Sequence, residues 1–420
     1  MHIETDRSWY LAGEAMTVSM TDDEARIAYA ELCDTHGLAA GVVIGLKGGA
    51  GKGVIELPAN LHSGYYMLSA YTRHNTEVSQ RLIAVVNPLR KSANDDIEWV
   101  LGDSCWVLGF EEGGTSSQCH TLTKGQRKEE REYSSRDNKA QNTSPSSSLV
   151  TRSSKDTPER EGHIIKARVK NVYDGNTFTA SQICPSLSIV GKQIHYFEGK
   201  MVDDSTAVFY TYGIQGRLPL VLSALTSTGV SLPIEMISPF AALLPKELPH
   251  LVFHYKRSEV EARSLDMQRH QQALTRQPSP ASPQPSALSL FGTQPDQSYN
   301  LDEYRQFLTI REVLLEYVTC VRNVKINGIS RLIVRKEQDV YNTSLPTLVL
   351  IDGMPVNDTE RLLNYDARRV HYINIYAGQY TFGTGVYNGI LSFVTRSGQL
   401  TNYPTEPNMQ YLVYDFPVMM

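Results

Sequence analysis

The apolar residues of this 420-residue chain come in short alternating runs, separated by glycine, proline and charged turns. Alternation with a period of two is typical of β-strands that bury one face. The 23 tyrosines, against 11 phenylalanines and 3 tryptophans, also favour β-structure, because aromatic side chains pack well on a pleated surface. The pattern therefore predicts a mainly β protein, and the length allows several domains.

Two polar segments interrupt the strand pattern. Residues 91–161 hold degenerate strands followed by a Ser-, Lys- and Glu-rich stretch with little to bury, which predicts a disordered linker. Residues 256–298 combine a polar helix with a Pro/Ser-rich linker. The other segments are then predicted as β-sandwiches over 1–90 and 162–255, a small α/β domain over 299–400, and a C-terminal tail over 401–420.

A glycine-rich stretch, "LKGGAGKGVIELP" (Leu46–Pro58), partly matches the phosphate-binding pattern G-x-x-x-x-G-K-[ST]. Gly51 and Lys52 fit its end, but Leu46 stands where the first glycine is needed and Gly53 where the hydroxyl is needed. The β-branched run that follows begins no helix, so no helix N-terminus faces an anion. We interpret the stretch as a turn between two strands, with Lys52 in solvent.

No catalytic, cofactor-binding or metal-binding residue is predicted. The sequence has no G-x-S-x-G and no H-E-x-x-H motif. His250 and His254 have i,i+4 spacing, but their β-rich surroundings do not favour the helix that would put both on one face. The five cysteines form no C-x-x-C pair, and their pairing state is left open: Cys33, Cys105, Cys119, Cys184 and Cys320.

Charge and hydropathy limit the classes of partner. The net charge of −5 does not indicate the excess of positive charge that is typical of nucleic-acid-binding proteins. No apolar run is long enough for a transmembrane helix, and the N-terminus has no signal-peptide features. The chain is therefore expected to be either cytosolic or a mature or trimmed chain.

The first predicted sandwich resembles a known module. "YLAGEAM" (Tyr10–Met16) and "GKGVIELPANLHSGYYMLSAYT" (Gly51–Thr72) are similar to the macroglobulin-like β-sandwich modules of large envelope proteins in the Bacteroidota. In those modules a "Y.aGe" turn, a "G.G.f.LP" hairpin and a "sGyY.LrAYT" strand recur. The resemblance implies that the glycines of the Leu46–Pro58 stretch are turn residues.

The C-terminal domain resembles the plug domain of TonB-dependent outer-membrane receptors. The matching stretches are "PTLVLIDGMPV" (Pro346–Val356) and "VHYINIYAGQYTFGTGVYNGILSFVTRSG" (Val370–Gly398). A helix over Tyr304–Val321 is expected to cover the sheet formed by "RLIVRK", "TLVLI", "YINIY" and "ILSFVT". The residues interpreted as structural turns are Asp352, Gly353, Gly378, Gly383, Gly385 and Gly389.

One exposed loop is expected to carry protein contacts. Tyr380, Phe382 and Tyr387 are flanked by glycine in "AGQYTFGTGVYNG", and aromatic residues exposed together commonly mark an interface. Only 22 residues follow Gly398, whereas a receptor barrel takes over ~220 residues in strands alone. We therefore expect a plug-like module without its own barrel.

Two hypotheses for function follow. The first is a non-enzymatic, multi-domain protein of the cell envelope, periplasmic or outer-membrane-associated, that contacts other envelope proteins such as an outer-membrane barrel or a secretion or uptake complex. The alternative is a surface protein of an uptake system that binds a nutrient, glycan or peptide, on an aromatic platform formed by Tyr65, Tyr66 and Tyr71.

Overall fold

The computed structural model describes residues 1–73, 77–107, 159, 162–191, 194–276, 292–326, 328–335, 345–398, 400, 403–404 and 406–419. Within these ranges no helix has the length and apolar character needed to cross a membrane. The chain forms two compact units, and both are discontinuous in sequence: unit 1 is Met1–Arg160, Phe240–Arg276 and Pro417–Met420, and unit 2 is Glu161–Pro239 and Gln277–Phe416.

The prediction of a mainly β, multi-domain chain is confirmed. In chain order the strands are β1 (His2–Thr5), β2 (Trp9–Leu11), β3 (Ala15–Thr21), β4 (Ile27–Cys33), β5 (Leu38–Gly45), β6 (Ala50–Glu56), β7 (Gly64–Thr72), β8 (Val78–Val86), β9 (Ile97–Leu101), β10 (Trp106–Val107), β11 (His163–Val169), β12 (Val172–Tyr173), β13 (Asn176–Thr177), β14 (Ile183–Ile189), β15 (His195–Glu198), β16 (Lys200–Met201), β17 (Thr206–Thr211), β18 (Gly216–Thr226), β19 (Ile234–Met236), β20 (Leu251–Tyr255), β21 (Gln297–Asn300), β22 (Val321–Ile326), β23 (Ile329–Val334), β24 (Leu348–Ile351), β25 (Met354–Pro355), β26 (Val370–Phe382), β27 (Gly385–Thr395) and β28 (Gln410–Phe416). The helices are α1 (Arg257–Arg276), α2 (Ile310–Glu316) and α3 (Thr359–Leu363).

Unit 1 contains a β-sandwich made from the first part of the chain. A sheet of order β1-β3-β6 packs on a five-stranded sheet of order β2-β8-β7-β4-β5. Alternate residues of β3 are buried, which is the period-two pattern that the sequence shows. The core between the sheets draws on both of them, with Ile3, Met16, Val18 and Ile55 from one and Tyr10, Leu32, Tyr66 and Ile83 from the other.

A second layer of unit 1 comes from chain segments far apart in sequence. β20 pairs in parallel with β9 and antiparallel with β10, and α1 packs beside them through Val260. The segment 162–255, predicted as the second sandwich, thus supplies β20 to unit 1 and β11–β19 to unit 2. Residues 108–158 and 277–291 of the predicted linkers lie outside the described residues.

The glycine-rich stretch forms a turn between strands, as predicted. Gly48 and Gly49 have φ values of 62° and 80°, a left-handed backbone that glycine adopts without steric penalty. Lys47 and Ala50 bridge across the turn, and Lys52 is exposed on β6. No helix begins at this stretch, so it lacks the geometry of a phosphate-binding loop.

Unit 2 contains a second sandwich that is completed by the last strand of the chain. One sheet has the order β16-β17-β11-β19 and the other the order β15-β14-β18-β28. The core between them includes Ile165, Leu187, Phe209, Leu222 and Phe416. The segment 401–420, predicted as a tail, therefore supplies a full strand to this sandwich.

The α/β module of unit 2 has a mixed sheet of order β21-β26-β27-β24-β25, with β24 parallel to β27. The helix expected over Tyr304–Val321 is shorter, because Thr309 caps α2. The backbone N–H of Glu312 donates to the Thr309 hydroxyl at 3.4 Å, and the Glu312 carboxylate accepts from the Thr309 N–H at 3.0 Å. This capping box begins the helix at Ile310. "RLIVRK" pairs in a separate β22-β23 hairpin instead of the main sheet.

The α/β module covers the outer face of one sheet of the second sandwich. Three serines on that face are buried, Ser186, Ser188 and Ser223, and two of their hydroxyls are 3.0 Å apart. Val221 of β18 joins the core of the module, and the Gly191 N–H donates to the Asp352 carbonyl at 3.1 Å. Serine side chains permit the close approach of the two layers because they are small.

Candidate protein-contact site

The residues predicted as a docking loop lie on a regular hairpin. β26 and β27 pair antiparallel up to the turn at Gly383, with Tyr380 opposite Tyr387 and Phe382 opposite Gly385. The segment is therefore strand almost to its tip. Because both strands belong to the five-stranded sheet, the positions of these aromatic residues are fixed by backbone pairing.

The aromatic rings of this hairpin pack inside unit 2. Tyr196 of β15 is only 7% exposed and meets the rings of Phe382 and Tyr387 edge-on, with centroids 5.5 Å and 6.0 Å away. Tyr380 stands edge-on to the buried Tyr376 at 6.4 Å. We call these five residues the hairpin cluster. Tyr380, Phe382 and Tyr387 are half-buried and lie on a strand hairpin instead of an open loop, and their role in partner contact stays a prediction.

Hydroxyl groups and one carboxylate join the hairpin to β15. The Tyr387 hydroxyl donates to Glu198 and lies 2.9 Å from the Tyr196 hydroxyl. Burial raises the pKa of the Glu198 carboxyl, and the bond from Tyr387 opposes that rise. Burial also raises the pKa of both tyrosines, so their hydroxyls stay protonated at neutral pH. The network joins the hairpin to β15.

The predicted turn glycines divide into two kinds. Gly353, Gly383 and Gly389 have positive φ angles of 89°, 62° and 90°. Gly378 and Gly385 lie close to neighbouring side chains: a Cβ on Gly378 would lie 3.2 Å from the Tyr380 ring, a tight contact. A Cβ on Gly385 would lie 1.7 Å from an oxygen of Glu198, so a side chain there would displace the Glu198 carboxylate.

Asp352 forms the predicted turn with Gly353, and its side chain also accepts hydrogen bonds from residues outside the turn. The carboxylate is buried and accepts from the Thr395 N–H at 2.7 Å, the Thr395 hydroxyl at 2.5 Å and the Leu400 N–H at 2.9 Å. Burial raises the pKa of Asp352, and these hydrogen bonds oppose the rise. Asp352 therefore ties the end of β24 to the chain that follows β27. The Asp-Gly pattern indicates the turn but not these partners.

A second aromatic cluster of the same module is partly exposed: Tyr304 and Leu308 are exposed, and the other members are half-buried. We call it the Tyr304 surface, and its members are Tyr299, Tyr304, Phe307, Leu308 and Tyr317. The Tyr304 and Tyr317 ring centroids are 4.6 Å apart, Phe307 and Tyr317 are 5.5 Å apart, and Tyr299 and Tyr304 are 6.2 Å apart. Phe307 and Tyr317 fit the apolar face of the helix predicted over Tyr304–Val321, and for that reason the sequence did not reveal this surface.

Local caps hold the Tyr304 surface in place. The chain makes a single turn at Leu301–Glu303, runs exposed to Thr309, and then begins α2. The Tyr317 hydroxyl donates to the Arg305 carbonyl at 3.4 Å. The rings border a shallow depression lined by Leu301, Tyr304, Arg305, Gln306, Phe307, Val313, Tyr317, Ala367, Arg368 and Arg396.

The arginines around this depression differ in their ion pairs. Arg368 makes two bonds of 2.9 Å to Asp366, and Arg396 bonds Asp302 at 2.5 Å. Arg305 makes no ion pair with any residue in the described ranges. Among the described residues, the depression thus combines apolar and polar side chains with one guanidinium, that of Arg305, that has no ion pair. This combination suits an apolar side chain next to a carboxylate.

The tyrosines of the nutrient-binding alternative do not form a platform. Tyr65, Tyr66 and Tyr71 are all buried in unit 1. Tyr66 lies in the core of the first sandwich, and the Tyr71 hydroxyl donates to the buried Glu31 carboxylate at 2.9 Å. Their alternation along β7 reflects two buried faces of one strand, so the expectation of an exposed platform was wrong.

The histidines and cysteines are not brought together. His250 hydrogen-bonds Asp96, whereas His254 stacks on Trp106 with centroids 3.8 Å apart. In the part of the chain that the structure describes, no group of three or more His, Cys, Asp or Glu side chains is arranged to hold a metal ion. Cys33, Cys105, Cys184 and Cys320 are free thiols, and Cys119 lies outside the described residues.

Comparisons with known proteins found similarity to solved structures alone. No protein-family model and no curated protein matches the chain. Similar solved structures include the BSP domain of a biofilm-associated protein (7% identity, TM-score 0.17, covering 61% of this chain and 30% of that one), a Salmonella alpha-2-macroglobulin variant (9%, 0.19, 60% and 14%) and an Escherichia coli alpha-2-macroglobulin (10%, 0.19, 58% and 20%).

The chain spans between 14% and 30% of the length of these solved chains. TM-scores of 0.17 to 0.19 and identities of 10% or less carry no weight for function. What the chain does must therefore be inferred from its own residues.

Proposed function

We propose that the chain is a non-enzymatic protein-contact protein of the cell envelope and that the Tyr304 surface binds its partner. The observation that carries the proposal is the exposure of this surface. Tyr304 is 36% exposed and Leu308 64% exposed, although apolar side chains lie beside them. Contiguous exposed aromatic groups commonly mark an interface, because covering them releases water from apolar area.

The chemistry of the surface indicates the kind of partner. Tyrosine and arginine are the residues that most often dominate the binding energy of an interface. Arg305 brings a charge that pairs with no acidic residue in the described part of the chain, and it lines the same depression as Tyr304 and Tyr317. We propose a protein partner that presents an apolar side chain and a carboxylate together. The carboxylate would bond Arg305, and the apolar group would fill the depression.

The location of the partner rests on resemblance. The similarity of Pro346–Val356 and Val370–Gly398 to TonB-receptor plugs supports the outer membrane as the site of action. On this proposal the chain belongs with the macroglobulin-like envelope proteins of the Bacteroidota. The partner is then an outer-membrane barrel or a component of a secretion or uptake complex. The nutrient-binding alternative loses support, because Tyr65, Tyr66 and Tyr71 are buried.

The proposal is tested by crosslinked pull-down from envelope extract with the full chain. The variant Tyr304→Ala, Leu308→Asp should lose most of the captured partner, whereas the control Tyr173→Ala, Leu89→Asp should retain it. The control residues have matching exposure, 44% for Tyr173 and 64% for Leu89, and lie elsewhere on the chain. Equal capture by both variants, with both folded by circular dichroism, would remove the Tyr304 surface as the binding site.

A further inference from the structure

The last strand of the chain has an open edge. β28 ends the sheet β15-β14-β18-β28, and no described strand pairs with its outer side. Its inward-facing residues Tyr414 and Phe416 join the sandwich core, whereas Val413 is 57% exposed. At its first residue the Gln410 side chain accepts from the Met236 N–H, so the open part begins at Tyr411.

The direction of the backbone groups of β28 follows from Pro219. The Pro219 carbonyl accepts from the Val190 N–H, so the backbone of residue 219 points toward β14. Backbone direction alternates along a strand, and Leu218 and Leu220 therefore point toward β28. Their partners are Tyr414 and Leu412, which bond inward. The residues whose N–H and C=O groups point outward are then Tyr411, Val413 and Asp415.

β28 lacks the features that usually protect a sheet edge. Its sequence "QYLVYDF" has no lysine, proline or glycine, and it pairs with β18 over seven residues without a bulge. Natural edges are commonly blunted by charges, bulges or proline. β22 is an example in the same unit, because it carries Arg322 and Lys325 along its edge. The groups exposed on β28 are thus a template for another strand.

We propose that two copies of this chain associate through antiparallel pairing of β28 with β28, centred on Val413. In this register Val413 faces Val413, and Tyr411 faces Asp415. Every outward N–H and C=O group of the three residues then finds a partner, which gives six hydrogen bonds. The sheets of the two copies become one continuous sheet across the two-fold axis.

The sequence of β28 favours a second copy over a different strand. Its one charge, Asp415, falls opposite Tyr411 of the other copy, so no two like charges face each other. On the core side Leu412 falls opposite Tyr414, an aliphatic–aromatic pair of the kind that stabilises neighbouring strands. The association uses none of the Tyr304 surface and goes beyond the proposed function.

Sedimentation velocity of the full chain over a range of concentrations tests the proposal. Wild type should show a monomer–dimer equilibrium, and Val413→Lys should raise the dissociation constant about tenfold or more, because two lysines would face each other. Val172→Lys is the matched control, since Val172 is 55% exposed on another strand, and it should associate as wild type does. Wild type that stays monomeric at every concentration, or Val413→Lys that dimerises normally, overturns the proposal.

A charge swap tests the register. Val413→Glu alone should also fail to associate, whereas an equimolar mixture of Val413→Lys and Val413→Glu should recover the dimer, because lysine then faces glutamate across the axis. A mixture that remains monomeric contradicts the register centred on Val413. The Tyr304→Ala, Leu308→Asp variant should dimerise as wild type does, which separates this result from the test of the Tyr304 surface.

Discussion

Two aromatic clusters of the α/β module differ in how far other side chains cover them. In the hairpin cluster, Tyr196 of the neighbouring sandwich covers Phe382 and Tyr387. In the Tyr304 surface, the rings contact one another and stay open to solvent on one side. Both stretches are rich in aromatic residues, so composition does not distinguish them. What decides is whether a distant strand folds back over the rings.

This difference predicts which substitutions lower the stability of the fold and which lower the affinity for a partner. An aromatic side chain that is covered contributes through apolar burial and ring contacts, whereas an exposed one contributes little to folding. The hairpin cluster should therefore respond to substitution by losing stability. The Tyr304 surface should respond by losing a partner while the fold stays intact.

Removing the covering ring should have the largest effect. Tyr196→Ala deletes a buried aromatic side chain and should destabilise unit 2 by about 3–5 kcal/mol. Tyr304→Ala should cost less than Tyr196→Ala, because the Tyr304 side chain is 36% exposed and buries less apolar area. Hydrogen exchange of the β26–β27 amides measures the difference. Equal protection of these amides in both variants would show that the two clusters contribute equally to the stability of the hairpin.

Tryptophan fluorescence supplies an internal control for that experiment. The three tryptophans of the chain, Trp9, Trp99 and Trp106, all belong to unit 1. Their rings lie near Phe253 and His254 of β20. Tyr196→Ala should therefore leave the unfolding transition seen by tryptophan fluorescence unchanged. A shifted fluorescence transition would mean that the substitution acts on more than the hairpin cluster.

Removing a single hydroxyl should have an intermediate effect. Tyr387→Phe deletes the group that donates to Glu198 and leaves that half-buried carboxylate without its hydroxyl donor. The expected loss is about 1–2 kcal/mol, the usual penalty of an unsatisfied buried polar group. Tyr304→Phe is the matched control on the exposed cluster and should leave the denaturation midpoint of unit 2 unchanged. Similar midpoints for the two variants would show that the Glu198 bond does not hold the hairpin.

The smallest effect should be a pH dependence at Glu198. Burial raises its pKa in the folded state, so folding favours the protonated form. The stability from this group is present below the pKa of the unfolded chain and is lost as the pH rises through the raised folded value. The side chain of the Glu198→Gln variant cannot ionise. The melting temperature of this variant should therefore increase relative to that of wild type as the pH rises from 4 toward 7. A constant difference across the series would contradict the raised pKa.

The sequence reveals the strands and turns of this chain better than their partners. The alternation in β3, and the turns at Gly48-Gly49 and Asp352-Gly353, follow from local chemistry and appear where expected. The length of α2 does not, because the capping box at Thr309 begins the helix at Ile310 and Tyr317 caps its C-terminal end, although the apolar spacing continues to Val321. Capping residues determine where a helix begins and ends, and the spacing of apolar residues along the sequence does not show where the helix is capped.

Pairing over long distances explains the remaining differences. β20 was predicted within the second sandwich and β28 within a tail, and nothing in their own residues specifies β9 or β18 as neighbours. The exposure of Tyr380, Phe382 and Tyr387 likewise depends on Tyr196, which precedes them by a long stretch of chain. A period-two pattern tells which face is buried, and only the folded chain tells what buries it.

The position of β28 at the end of unit 2 also has a consequence for biosynthesis. Its partner β18 ends at Thr226, whereas β28 begins at Gln410. At translation rates of about 5–20 residues per second, roughly ten to forty seconds pass between the synthesis of β18 and the synthesis of β28. Throughout that interval the backbone of β18 is without its neighbour, and the sandwich is open to mispairing with other nascent chains. The second sandwich therefore completes its folding after its own first strands, and the whole α/β module, have been synthesised.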